Sequence, residues 1–144
     1  MHITEKQNKA CFIGSLESIL CDSIIPDSDK NSILENFLNV TNDNNVTYIQ
    51  PFEIEAMLSN FFKDFRICKI DKLENLSSCT VLEFTLLIWE GKNSENRHVT
   101  RFIELNNQSV LLMDPQLGKK KDFTFDDLKE LSPNGFTFVS FNRK

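Results

Sequence analysis

The chain has 144 residues, with 16 basic against 21 acidic side chains and a formal net charge of −5. This length suits one domain and makes two independent cores an unexpected outcome, and 40% hydrophobic against 26% charged residues is a globular composition rather than a disordered one. The acidic balance argues against a nucleic-acid binder, which would show a basic stripe, and no apolar run approaches the roughly 20 residues of a membrane span.

In chain order, Phe12, Leu16, Ile19 and Leu20 recur at helical spacing, which predicts a mostly buried helix over 11–22. Cys11 falls in its predicted first turn. A second helix is expected over Ser28–Asn39, capped by Ser28, with Ile33, Leu34, Phe37 and Leu38 on its apolar face. The Asn42–Asn45 cluster reads as a loop. Pro51 suits the first turn of a third helix that carries Ile54, Met57, Leu58, Phe61 and Phe62.

After Asp64 the pattern changes to β. Phe65–Ile70 and Val81–Trp89 are strand candidates, and Gly91–Ser94 is a turn. His98–Leu105 and Ser109–Met113 form a predicted hairpin about Asn106-Asn107, ending at Asp114-Pro115. Lys119-Lys120-Lys121 reads as a solvated turn. Thr124, with Asp127 three residues on, starts a short helix through Leu131, and Phe136–Phe141 closes as a strand. Helices come first and an antiparallel sheet follows. The expectation is a single α+β domain over 1–144, helical to about residue 64 and sheet-forming from about 65.

Three residues stand out by position. A thiol at a helix N-terminus meets free N–H groups and the positive end of the dipole, so its pKa is expected to fall. His98 begins one strand and Asp114 ends its hairpin partner, which makes them neighbours. A carboxylate that orients an imidazole, beside a thiol, is the constellation of thiol-based acyl transfer. The other cysteines, Cys21, Cys68 and Cys79, show no CxxC spacing and are expected to pack in the core of a reduced, cytoplasmic protein. Neither a metal nor an organic cofactor is called for. His2 is given no role, and Trp89 is either core or cleft wall.

The run Ala10-Cys11-Phe12-Ile13-Gly14-Ser15-Leu16-Glu17-Ser18-Ile19-Leu20 resembles the nucleophile helix of small bacterial papain-like cysteine peptidases, the double-glycine leader peptidases and their stand-alone relatives. His98–Glu104 resembles the family's His-bearing strand, and Asp114-Pro115-Gln116-Leu117-Gly118 is similar to its Asp-Pro-x-x-Gly turn. Phe125-Asp126-Asp127-Leu128 and the β tail resemble its C-terminal end. The resemblance implies a papain-like fold with Cys11 as nucleophile, His98 as base and Asp114 as orienting carboxylate. Phe12 stands where the family has Gly, and Glu5 where it has its oxyanion Gln. Gln7, four residues before the cysteine, is the substitute candidate, with the Cys11 amide as a second donor.

The resemblance implies a cysteine peptidase acting on a peptide such as a leader. A second expectation is an acyltransferase that moves an acyl group from a carrier-protein thioester to an amine in natural-product biosynthesis. The stand-alone domain, the displaced Gln and the missing Gly favour it. Arg97, Arg101 and Lys119–Lys121 would form the basic patch that such a carrier needs. A glutamine deamidase effector and a catalytically dead peptide-binding module are further readings. Gln116 either lines the site or is solvated, and oligomeric state is left open.

Overall fold

The computed structural model describes residues 7–43, 50–79, 81–90, 98–115 and 117–144. Three helices come first: α1 (Gln7–Asp22), α2 (Asp27–Asp43) and α3 (Pro51–Leu58). β1 (Phe62–Ile70) follows, then a 3-10 turn over Leu73–Ser78, β2 (Phe84–Trp89), β3 (His98–Asn106), β4 (Ser109–Asp114) and β5 (Lys119–Thr124). Helix α4 (Phe125–Leu131) and β6 (Phe136–Arg143) complete the chain. The six strands form one antiparallel sheet in the order β1-β6-β2-β3-β4-β5. The molecule is α+β, as the segregation of helical and alternating patterns predicts. Among the described residues no helix is long and apolar enough to cross a membrane.

The central strand β2 is buried along its whole length, and alternate residues serve different cores. Phe84, Leu86 and Ile88 pack with Phe12, Leu16, Ile19 and Leu20 of α1, and with Ile33, Phe37, Ile54 and Leu58 of α2 and α3. Leu87 and Trp89 join a second core with Phe102, Leu112 and Phe138, covered by Leu73 and Leu76 of the 3-10 turn and Leu128 of α4. Each fully buried apolar side chain of α1 contributes about 2 kcal/mol of hydrophobic stabilisation. That burial, rather than propensity, holds the helix.

The local signals account for most boundaries. Pro51 is the first residue of α3, where its missing N–H costs nothing. The Thr124 hydroxyl accepts from the Asp127 N–H at 3.1 Å and caps α4. Four expectations are corrected. Ser28 lies inside α2, and the carbonyl of Pro26 takes the first-turn N–H groups of Asp29 and Lys30. Asn42 and Asp43 belong to α2 rather than to a loop. α3 ends at Leu58, so Phe61 lies in the turn after it and Phe62 opens β1. Lys119–Lys121 form an exposed edge strand rather than a turn. The predicted turn at Gly91–Ser94 lies outside the described residues.

Candidate functional site

α1 begins at Gln7, so Cys11 sits a full turn inside the helix and not in its first turn. In that position its N–H is bonded back to the Gln7 carbonyl and is no longer a free oxyanion donor. Cys11 is fully buried, at 0% exposure. Burial first, and the Asp114 charge second, push its thiol up to about 12. The expected fall in thiol pKa is therefore reversed. The helix dipole acts weakly one turn in, whereas desolvation of a buried thiolate is large.

A stripe of side chains on α1 fixes where Cys11 sits. Cys11, Ser15, Ser18 and Asp22 recur at i, i+4, i+7 and i+11, which places them on one face. The Ser15 hydroxyl donates to the Val99 carbonyl at 3.1 Å. Arg101 Nη1 donates to the Ser18 carbonyl at 2.9 Å, to Ser18 Oγ at 3.1 Å and to Asp22 Oδ2. Rising numbers on α1 meet rising numbers on β3, so the two run in the same sense. Cys11, one turn before Ser15, lies toward the His98 end of β3.

His98 and Asp114 come together as the hairpin predicts. His98 Nε2 and Asp114 Oδ1 are 3.0 Å apart, and both side chains are buried. β3 and β4 join through Asn107-Gln108, with Asn106 opposite Ser109. The Asp114 carbonyl accepts the N–H groups of Leu117 at 3.1 Å and Gly118 at 2.9 Å. Gly118, at φ 68°, closes this turn in the left-handed region where glycine is at ease. An ionised carboxylate only accepts, so Nε2 then carries the imidazole proton and Nδ1 the lone pair. Among the described residues the buried His98 Nδ1 has no hydrogen-bond partner.

Trp89 lies directly opposite His98 across the β2–β3 pairing. Its ring meets the imidazole edge-on, with centroids 4.7 Å apart. Trp89 is buried and forms a wall behind His98, which composition left undecided. The site draws on both cores, with Cys11 in the first and Trp89 in the second. Cys11 and His98 share no hydrogen bond, although the Asp114 charge reaches the thiol.

The remaining candidates separate. Gln7 opens α1, and its side chain lies outside the described residues, as do Gln116 and Arg97. Arg101 is committed to Ser18 and Asp22 and is buried, so it is not part of a surface basic patch. Lys119 stands opposite Asp114 on β5, and the Lys121 ammonium lies 5.0 Å from the Phe123 ring. Cys68 and Cys79 are not free core thiols but are joined in a disulfide, and Cys21 is exposed. Among the described residues no cluster of three or more His, Cys, Asp or Glu side chains could hold a metal ion. The stripe Ser15, Ser18, Asp22 was the signal that motif reading missed, because its meaning depends on Arg101 lying across from it.

No family model matches this chain, and neither the curated proteins nor the solved structures contain a match to it.

Proposed function

We propose that the chain is a papain-like, thiol-dependent acyl-transfer enzyme with Cys11 as nucleophile, His98 as base and Asp114 as orienting carboxylate. The observation that carries this reading is the buried His98–Asp114 bond at 3.0 Å, which leaves Nδ1 of the imidazole without a partner among the described residues. A structural histidine has no need of an orphaned ring nitrogen, whereas a general base does.

With the thiol pushed up to about 12, Cys11 rests protonated at neutral pH. Attack and proton transfer then occur together. Cys11 Sγ bonds to the acyl carbon as His98 Nδ1 takes the thiol proton, and Asp114 stabilises the imidazolium. The tetrahedral intermediate collapses, the bond to the leaving group breaks, and His98 returns the proton to that group. A thioester and a free thiol or amine result. Water or an amine then attacks the thioester. The first makes a peptidase acting on a peptide. The second makes an amide-forming transferase fed by a carrier-protein thioester. Gln7 is the proposed oxyanion donor, from its place four residues before the nucleophile. A cytoplasmic setting accords with such carriers, but the Cys68–Cys79 bond favours an oxidising compartment.

A second reading, a peptide-binding module without catalysis, is favoured by the fully buried and strongly protonated Cys11. One experiment separates the two. The protein is incubated with the acetyl thioester of N-acetylcysteamine, and acetylation is mapped by peptide mass spectrometry. Acylation of Cys11, lost in Cys11→Ala and slowed about 10²-fold or more in His98→Ala, supports the enzyme. Absence of acylation at Cys11, or labelling indifferent to His98, would leave the binding module.

A further inference from the structure

We propose that Arg101 is a positioning residue, which locks α1 in register along β3 and so holds Cys11 at the His98 end of the strand. The inference rests on the acyl-transfer reading for its consequence, but not for its geometry. Arg101 is 9% exposed, and such burial of a guanidinium is costly without partners. A single nitrogen, Nη1, serves the Ser18 carbonyl and hydroxyl and, one turn on, the Asp22 carboxylate, while Nε has no partner among the described residues. Burying a charge this way is an expensive means of attaching a helix whose apolar face already holds it. What the cluster adds is direction. Apolar packing tolerates sliding and rotation, whereas hydrogen bonds to Ser18 and Asp22 do not.

The Ser15 hydroxyl makes a second tie, to the Val99 carbonyl. Two ties on one face fix both the rotation of α1 and its place along β3. Rotation by one residue, about 100°, would turn Cys11 off this face altogether. A displacement near 1 Å at a reacting atom costs on the order of 10²-fold in rate. Asp22 forms the outer end of the clamp, since 63% of its side chain is exposed. It can therefore be truncated without opening the core.

The test uses the whole chain with Asp22→Ala or Arg101→Lys, so it does not depend on the folding of an Arg101→Ala variant. Two rates are read at Cys11: alkylation by iodoacetamide at urea concentrations far below the unfolding midpoint, and acetylation at saturating acetyl thioester. Asp22→Ala is expected to raise alkylation about 10-fold, because Cys11 leaves its buried position more often. It should lower the saturating acetylation rate about 10-fold, with the half-saturating donor concentration unchanged. Arg101→Lys should lie between the variant and the native protein. Unchanged alkylation in both variants overturns the proposal. So does a rise that follows the urea dependence of global unfolding, or a rise that leaves acetylation unaltered. If alkylation rises while the native protein never acetylates, the clamp stands and the acyl-transfer reading falls.

Discussion

Cys11 links the chemistry of the site to the stability of the fold. Its thiol titrates near 9.0 when unburied and is pushed up to about 12 in the folded protein. The folded state therefore holds the proton more tightly than the unfolded one. That contribution is whole below about pH 9 and is lost as pH rises from there toward 12. The limiting slope is about 1.4 kcal/mol per pH unit, and integrated over the onset about 1.4 kcal/mol should disappear between pH 8 and 10. Urea unfolding of the native protein and of Cys11→Ala at both pH values checks this. The native protein should lose that much more than the variant, and parallel losses would show that Cys11 is not buried as described. A second residue argument concerns Gly135, at φ 93°. A Cβ there would lie 2.5 Å from the Ile70 carbonyl oxygen, a backbone atom that cannot step aside. The carbonyl of Gly135 also accepts the Glu90 N–H and the Ser132 hydroxyl, which ties the end of β2 to the start of β6. Gly135→Ala should cost about 3 kcal/mol, from left-handed strain and the clash together. A change under 1 kcal/mol in denaturant titration would contradict the packing at this turn.

At the scale of elements, legibility followed the source of each element's stability. α1 was read correctly over 11–22 because Phe12, Leu16, Ile19 and Leu20 pack on the sheet at helical spacing. Its first turn, from Gln7, was missed because polar residues without periodicity leave no such trace. The β3–β4 hairpin was legible from two apolar runs and a short Asn-rich break, and with it came the His98–Asp114 pair. β5 was illegible. Lys119–Lys121 are exposed, so nothing in their side chains signals a strand; they are held by backbone pairing with β4. Charged residues on an outer strand also discourage pairing with another molecule. β1, the opposite edge, lacks clean alternation for a related reason. Its pairing with β6 shifts between Lys63 and Arg66, and Asp64 takes φ 60° there. The Arg101 clamp joins residues about 80 positions apart and has no local signature. The same holds for the thiol pKa, which depends on what α1 is buried against. Helix position alone gave the wrong sign.

At the scale of the whole molecule, one sheet separates two cores, and they are covered in different ways. The first lies under three helices that together bury many side chains. The second is covered by less chain: the 3-10 turn with Leu73 and Leu76, and the short helix α4 with Leu128. The Cys68–Cys79 bond spans that thinner cover, joining β1 to the end of the 3-10 turn across a separation of 11 residues. Closing a loop of that length in the unfolded chain removes entropy worth about 3 kcal/mol of stability. An exposed ion pair adds to the same cover, Lys129 to Glu74 at 2.6 Å, and by its exposure contributes little. The disulfide is therefore the main brace of the second core, and Trp89, which backs His98, lies in that core. Alkylation of the unfolded, unreduced chain should label Cys11 and Cys21 but not Cys68 or Cys79. Reduction should label all four and lower the unfolding free energy by about 3 kcal/mol. Hydrogen exchange then distinguishes a local brace from a general one. Protection should fall first over Leu73–Ser78 and the Trp89 end of β2, while α1 keeps the protection its own core gives it. Equal loss along α1 would mean that the two faces unfold as one unit, and that the second core does not fail separately from the first.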